Sequence, residues 1–322
     1  MRGILLTNLG TPATCKKEDV QQFICDMLSD PLLTDLPEWL SKFLAKNIIA
    51  PLSSSKSQKK YSLIWRKEEP QISPLLYHMQ KLAEKLESRT GLPVEIAMRY
   101  GEPDIQHAFN ALEKKCPLLH ELIIFPMYPQ YAQSTIQTAT DEIGRVFYQH
   151  PHSFRLKFIR PYYNHKAYIQ ALAANAKAHL NDEFDKLVFC YHSLPMKQVE
   201  KGQKKGREFD YVFQLKETNR LLANELNIPY TKQLLFFSSQ RGNGWLKPFL
   251  SKDIESLPQQ GYQHIAIIAP GFTVDNMETL YDIDIEAREL FMEAGGKAFS
   301  FIPSLNNSDE WIEAIWKIIG SN

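Results

Sequence analysis

The chain has 322 residues, enough for two domains that each bury a core, and its 44% hydrophobic and 23% charged residues are ordinary for a globular enzyme. The 37 basic and 37 acidic residues cancel, so the sequence lacks the charge excess that draws a protein to nucleic acid. The four cysteines form no CxxC pair and no dense disulfide framework, which predicts a reduced cytoplasm.

Short β-rich runs alternate with segments of helical spacing along the chain. Leu75, Met79, Leu82 and Leu86 show that spacing in one of the intervening segments. Strands that alternate with helices predict parallel sheets covered on both faces, the doubly wound α/β class. The predicted strands are 3–8, 93–99, 121–126, 155–160, 186–192, 233–238, 264–270 and 297–302.

Two segments, 118–144 and 261–287, each run from an apolar strand through a proline into a polar turn and a helix. Their similarity indicates a duplicated half-domain. We place the boundary between two domains near residue 150, where the apolar periodicity lapses. No GxGxxG or GxxxxGK[ST] follows any strand, so a phosphate-binding glycine loop is unsupported.

The segment 32–49 contains many apolar side chains, which give a wide apolar surface on a helix, and it carries Lys42 and Lys46. It predicts either a helix packed on the core or an exposed apolar lip that touches a membrane or an apolar ligand. No run reaches the 18 or more apolar residues of a spanning helix, and the N-terminal apolar stretch is too short for a signal peptide. We therefore expect at most peripheral membrane contact.

Four acidic residues follow the strand at 264–270. On an α-helix Asp275, Glu278, Asp282 and Glu286 share an arc of roughly 80°. Like charges at this spacing repel, so the arrangement is either a solvated acidic face or a path for cations or protons. Asp275 and Glu278 also lie in the first turn, where the helix dipole favours carboxylates.

His192 ends the strand 186–192, in the motif "YHSLP". In doubly wound sheets ligands bind beyond the carboxyl ends of the strands, and both His192 and the turn before the acidic helix lie there. An imidazole with carboxylates suits a general base or a labile divalent metal site, and not a tight structural zinc site. A structural histidine with no chemical role is the alternative.

These motifs together resemble the ferrochelatase family, whose enzymes insert ferrous iron into a porphyrin to make heme. The resemblance covers nearly the whole chain. It rests on "NLGTP", "SDPLL", "YSLIW", "MRYG", "PMYPQYAQST", "YHSLP" and "PGFTVDNMETLYDIDIEA", which follow in the expected order. Two departures are "PQISP", where many members have "GGSP", and the altered segment "SSQRGNGWLKPF".

The resemblance implies two Rossmann-like, chelatase-type domains, 1–150 and 151–307, with a porphyrin cleft between them and a helix at 308–320 that packs back on the first. It implies that His192 and Glu278 are catalytic and are also the iron ligands. A partly buried Glu278 is expected to have a raised pKa. The acidic helix then supplies a proton or metal path.

The resemblance also implies five porphyrin-binding residues. Arg99 and Tyr100 match residues that line the macrocycle site, Leu9 matches a position at the lip of the cleft, and Trp245 and Phe272 match aromatic residues near the ring. Each has a structural alternative: Arg99 pairs with a helix carboxylate, and the apolar residues belong to the core.

The resemblance favours protoporphyrin IX as the substrate, because Leu9 stands where some coproporphyrin-using members have a tyrosine. Coproporphyrin III, another metal such as cobalt, and a non-catalytic porphyrin or heme carrier are the alternatives. Because no cysteine follows Cys190, we expect no iron–sulfur cluster and no tightly bound cofactor. A monomer is expected, in the cytoplasm and in peripheral contact with the inner membrane through 32–49.

Overall fold

The computed structural model describes residues 1–180, 183–240, 242 and 244–321. The chain divides into two compact units. One contains Met1–Tyr128 and Ala132–Arg160, and the other contains Pro129–Tyr131 and Pro161–Asn322. Each unit holds one four-stranded parallel sheet flanked by helices, which confirms the predicted α/β class.

The sheet of the first unit has the strand order β2-β1-β3-β4. Strands β1 and β3 lie inside this sheet and are buried along most of their length, which is why the sequence reads there as unbroken apolar runs. The strands are β1 (Arg2–Gly10), β2 (Val94–Tyr100), β3 (Glu121–Pro126) and β4 (Arg155–Phe158).

Local sequence signals set the helix ends of the first unit. At the start of the helix Pro74–Thr90, the hydroxyl of Ser73 accepts a hydrogen bond from the N–H of Leu76, and Pro74 occupies the first turn. Gly91 ends this helix with a φ of 67°. The helices are α1 (Lys17–Leu28), α2 (Pro31–Thr34), α3 (Glu38–Leu44), α4 (Ala50–Ile64), α5 (Pro74–Thr90), α6 (Ile105–Lys115) and α7 (Thr138–Phe147), with π-helical turns at Ala45–Ile49 and Gln133–Gln137.

The sheet of the second unit has the order β6-β5-β7-β8, so both sheets follow the same pattern of second, first, third and fourth strand. In this pattern the chain leaves the first and third strands toward opposite sides, which opens a crevice at their carboxyl ends. The strands are β5 (Lys186–His192), β6 (Gln233–Ser238), β7 (His264–Ile268) and β8 (Ala298–Ile302).

The helices of the second unit cover both faces of its sheet. They are α8 (Lys166–His179), α9 (Met196–Lys205), α10 (Tyr211–Glu225), α11 (Leu250–Asp253), α12 (Arg288–Glu293) and α13 (Asp309–Ser321), with a π-helical segment at Glu278–Ala287 and short 3₁₀ turns at Tyr230–Lys232, Ile254–Ser256 and Pro258–Gln260.

The division between the units differs from the predicted domains in two respects. It falls after Arg160 and not near residue 150, because β4 pairs with β3 in the first sheet. Helix α13 belongs to the second unit, in place of the expected return to the first domain. Its Trp311 is fully buried against Tyr162 and Tyr168, next to α8.

Most large apolar side chains at the end of the segment 32–49 are exposed, so it is not a fully buried core helix. Trp39 is 71% exposed, and Phe43, Ile48 and Ile49 are also exposed. The structure thus exposes several apolar side chains here, and their contact with a membrane or an apolar ligand stays a prediction. Within the described ranges, every helix is too short or too polar to span a bilayer.

Candidate functional site

The candidate site begins where β5 ends. The strand is buried from Leu187 to Tyr191 and stops at His192, whose side chain is 41% exposed. Pro195, which lacks a backbone N–H, stands just before α9 and cannot extend the strand ladder. The Tyr211 hydroxyl donates to the carbonyl oxygen of His192 at 3.0 Å, which fixes the backbone at this position.

His192 contacts a carboxylate directly. Its Nδ1 lies 2.8 Å from Oε2 and 3.0 Å from Oε1 of Glu278, whose side chain is only 11% exposed. An ionised carboxylate only accepts hydrogen bonds, so this contact assigns a proton to Nδ1. In the neutral ring Nε2 is then unprotonated, and it is the nitrogen that can accept a proton or bind a metal ion.

Glu278 is held in its ionised form although it is buried. Burial raises its pKa, but the positive charge of His192, which is present while the ring is protonated, and hydrogen bonds from His192, Ser238 and Ser239 lower it by more, so its pKa lies below the ordinary value. When the ring is neutral, only the hydrogen bonds remain. The Ser238 hydroxyl donates to Oε1. Our expectation of a raised pKa was therefore wrong, because it counted burial and not the donors at the ends of β5 and β6.

The acidic residues after β7 lie on a wide helix. The segment Glu278–Ala287 is π-helical and continues directly into α12, where we expected an α-helix throughout. A π-helical turn holds more than four residues, so Glu278, Asp282 and Glu286 follow one another along one side. The Ser239 hydroxyl donates to Oδ2 of Asp282 at 3.4 Å. Both Asp282 and Glu286 are half-buried.

Asp275 does not join this line of carboxylates. Its Oδ1 accepts the hydroxyl of Thr279 at 2.9 Å and the N–H of Ser304 at 3.1 Å, and its Oδ2 accepts Nδ2 of Asn306 at 2.7 Å. The buried carboxylate thus ties the start of the acidic helix to the chain after β8. These contacts give Asp275 an anchoring role.

Arg99 and Tyr100, at the end of β2, share one buried carboxylate. Arg99 donates from Nη2 to Oδ2 of Asp30 at 2.8 Å and from Nε to Thr138 at 2.8 Å. The Tyr100 hydroxyl donates to the same Oδ2 at 2.7 Å. Arg99 thus pairs with the carboxylate that caps α2, and its contact with a porphyrin stays a prediction. Tyr100 is itself buried.

Trp245 lies beside the histidine motif. It forms an antiparallel bridge with Pro195, and the N–H of Leu246 donates to the carbonyl oxygen of Leu194 at 3.0 Å. The chain after β6 is therefore paired with the chain just after His192. This pairing keeps the backbone of Trp245 near the carboxyl end of β5.

The other two apolar residues predicted to contact the porphyrin, Phe272 and Leu9, belong to other parts of the chain. Phe272 is half-buried against the core of the second unit. Leu9 is half-buried near the end of β1, in the first unit. Arg241 and Asn243, in the altered segment before Trp245, lie outside the described residues.

The structure thus brings His192, Glu278 and Asp282 together in the second unit, with two serines that the sequence analysis missed. Ser238 ends β6 in register with His192 on the neighbouring strand. A polar residue at the carboxyl end of a predicted strand was the available signal. Asp30 was also missed, although an aspartate before a proline is a common start of a helix.

A neutral imidazole that is oriented by an ionised carboxylate makes a general base with a defined proton-accepting nitrogen. An imidazole and a carboxylate are also suitable ligands for a divalent ion that binds and leaves. In the part of the chain that the structure describes, no group of three or more histidine, cysteine, aspartate or glutamate side chains is arranged to hold a metal ion.

Comparisons of the sequence point to one family. The family model described as ferrochelatase matches residues 1–322. The ferrochelatase of Vibrio cholerae serotype O1 is 34% identical over 98% of this chain and 97% of its own length. The ferrochelatase of Hydrogenovibrio crunogenus is 35% identical over 98% of this chain and 84% of its own length.

Solved structures with a similar fold are much less similar in sequence. SirB from Bacillus subtilis, solved with Fe³⁺, has a TM-score of 0.56 at 13% identity, over 99% of this chain and 94% of that one. DR2241 from Deinococcus radiodurans, a multi-domain protein with structural similarity to chelatases, has a TM-score of 0.51 at 11% identity, over 99% of this chain and 54% of that one. These likenesses support the fold.

Glu278→Gln is expected to lower the free energy of unfolding near neutral pH by about 1.5–3 kcal/mol, the usual worth of a hydrogen bond to a charged group. The pKa of Glu278 is lower in the folded protein than in the unfolded chain. The extra free energy of unfolding of the wild type is therefore fully present above the pKa of a glutamate in the unfolded chain, about 4.3. It is lost as the pH falls through the pKa of Glu278 in the folded protein.

Urea unfolding of both proteins between about pH 3 and pH 7 measures this difference. A difference that stays constant down to the acid end would show that the carboxylate charge is not stabilised in the folded state.

Proposed function

The chain belongs to the ferrochelatase family, whose enzymes insert iron into a porphyrin, and we propose that its own reaction is the insertion of Fe²⁺ into protoporphyrin IX to form heme b. The observation that carries this proposal is the contact of His192 with the buried, ionised Glu278 at the end of β5. Iron and the porphyrin are the substrates. The site must remove protons from the porphyrin and deliver Fe²⁺ to it.

His192 is the proposed base. Metal insertion replaces the two pyrrole protons of the porphyrin by Fe²⁺, so two protons leave for each ion that enters. With Nδ1 donating to Glu278, Nε2 of His192 is available to accept a pyrrole proton. A positioned general base contributes typically about 10²- to 10⁴-fold in rate.

His192 and Glu278 are also the proposed ligands of the incoming iron. A carboxylate that stays ionised attracts a divalent cation, and imidazole and carboxylate donors together suit Fe²⁺. Because Glu278 faces Nδ1, an ion on Nε2 lies on the other side of the ring, so the two residues bind the ion one after the other. Because Nε2 cannot bind iron and hold a proton at the same time, the two roles of His192 also follow one another. The incoming ion leaves Nε2 for the porphyrin before the same nitrogen accepts a proton.

Asp282 and Glu286 are the proposed path for protons or iron beyond this pair. They follow Glu278 at intervals of four residues on the π-helical segment, so their carboxylates form a line along one side. We leave Asp275 out of the path because three hydrogen bonds already occupy its carboxylate.

Trp245, Phe272 and Leu9 are the proposed apolar contacts of the porphyrin ring. The position of Trp245 beside the histidine motif supports its assignment. Arg99 and Tyr100 are proposed to act through their buried cluster with Asp30, which fixes the end of β2. We propose no iron–sulfur cluster or other tightly bound cofactor, because no cysteine follows Cys190, and we propose a monomeric state.

The apolar character of Leu9 and of the segment 32–49 favours protoporphyrin IX, which carries fewer carboxylates than coproporphyrin III. Coproporphyrin III and a different metal such as cobalt are the second candidates, since the affinity order of divalent ions does not select iron. A carrier of porphyrin or heme would need no oriented base, so the contact between His192 and Glu278 weighs against it.

We also propose that the protein works in the cytoplasm and touches the inner membrane peripherally. Trp39 and Phe43 are exposed on α3, and Lys46 in the next turn carries a charge that complements anionic lipid headgroups, while Lys42 pairs with Glu38 at 2.6 Å. Aromatic side chains and lysines that share a surface are typical of interfacial contact.

His192→Ala is expected to lower the rate of heme formation by about 10²- to 10⁴-fold, because it removes the proton acceptor. Anaerobic Fe²⁺ is mixed with protoporphyrin IX and, separately, with coproporphyrin III, and heme absorbance is followed. The matched control is His179→Ala, which changes an exposed histidine on α8 of the same unit. Higher turnover with coproporphyrin III, or an unaffected His192→Ala, would contradict the proposal.

Vesicle flotation tests the membrane proposal. Wild type is expected to float with vesicles that contain phosphatidylglycerol and to lose this binding in Trp39→Ser/Phe43→Ser, which removes two exposed aromatic anchors. The control is the pair Tyr148→Ser/Tyr230→Ser, which changes exposed aromatic residues elsewhere. Equal flotation of both variants, or none for wild type even with porphyrin present, would rule out this surface.

A further inference from the structure

Two consecutive serines after the body of β6 contact two different carboxylates. The Ser238 hydroxyl donates to Oε1 of Glu278, and the Ser239 hydroxyl donates to Oδ2 of Asp282 at 3.4 Å. The two carboxylates are neighbours along the π-helical segment. The two serines thus contact Glu278 and Asp282, the first two of the carboxylates that follow one another along the π-helical segment.

The backbone explains how neighbouring serines reach the same side. Successive side chains of an extended strand point to opposite faces, so Ser239 would normally turn away from the acidic helix. It instead adopts the left-handed conformation, with a φ of 56°. This conformation is uncommon for a residue with a side chain, and it persists where the surroundings over-determine it, often at functional sites.

Ser238 is the more firmly held of the two. It is buried and pairs in register with His192, and its carbonyl oxygen accepts the N–H of Ser193 at 3.0 Å. Its hydroxyl also lies 3.1 Å from the carbonyl oxygen of Tyr191. One hydroxyl has one proton, and the ionised carboxylate of Glu278 is the stronger acceptor. The hydroxyl is therefore directed to Glu278.

We propose that Ser238 and Ser239 are positioning residues for metal insertion: Ser238 orients Glu278 so that it holds Nδ1 of His192, and Ser239 links Glu278 to Asp282, the next carboxylate along the path. This inference rests on the proposed function. Partners that orient a metal-binding or catalytic group act through it and do not touch the substrate themselves.

Ser238→Ala is compared with Ser193→Ala. Ser193 is also buried and next to His192, but its hydroxyl donates to the carbonyl oxygen of Leu246 at 3.0 Å. Each variant loses one buried hydroxyl, so similar decreases in Tm are expected. Only Ser238→Ala is expected to lose kcat for heme formation, roughly tenfold or more, with KM for porphyrin unchanged. Ser238→Thr, which keeps a hydroxyl, is expected to restore most of the rate.

Ser239→Gly tests the second hydroxyl without disturbing the backbone, because glycine accepts the left-handed conformation. A higher KM for Fe²⁺ is expected, with KM for porphyrin unchanged. An unchanged KM for Fe²⁺ would remove Ser239 from the proposal.

A second readout does not depend on activity. At fixed pH, ¹⁵N NMR of the His192 ring is expected to show changed Nδ1 and Nε2 shifts in Ser238→Ala and unchanged shifts in Ser193→Ala. If wild type fails to metallate porphyrin, the proposed function fails, while these shifts still decide whether Ser238 positions the pair. Wild-type shifts in Ser238→Ala, or equal losses of kcat in both alanine variants, would overturn the proposal.

Discussion

The hydrogen bond between His192 and Glu278 joins the end of β5 to the start of the π-helical segment, between residues 86 positions apart in the chain. A buried carboxylate stays ionised only where donors surround it. Here the imidazole is one donor and the Ser238 hydroxyl is another. The charge of Glu278 in turn decides which nitrogen of His192 carries the proton. Each group thus determines the chemical state of the other, and the proposed base and iron ligands depend on both.

The fold supplies the place for this pair. In the second unit β5 and β7 are adjacent, and their outgoing segments leave toward opposite sides of the sheet. His192 stands at the end of β5, and the segment after β7 returns Glu278 to it. The same strand order in the first unit places Leu9 and the chain after β3 at an equivalent position. A repeated architecture therefore carries polar chemistry in one unit and largely apolar and structural contacts in the other.

The eight strands and the pairing of the histidine motif with the acidic helix could be predicted because apolar runs and strand-end motifs are local signals. The ionised state of Glu278 could not be predicted, because it depends on Ser238 of β6. The sequence does not show which strands are neighbours in the sheet. The hydrogen bonds of Asp275 could not be predicted for the same reason, since Ser304 and Asn306 lie about thirty residues away. Carboxylates four residues apart fit both α- and π-helical turns, so spacing alone did not distinguish them.

A double-mutant cycle on the rate of heme formation tests most directly whether His192 and Glu278 act as a unit. The cycle compares wild type, His192→Ala, Glu278→Ala and the double variant by kcat/KM with Fe²⁺ and protoporphyrin IX. If each residue works through the other, the double variant is expected to be hardly slower than the more impaired single variant. Losses that simply multiply in the double variant would show that the two residues act independently and would contradict the account.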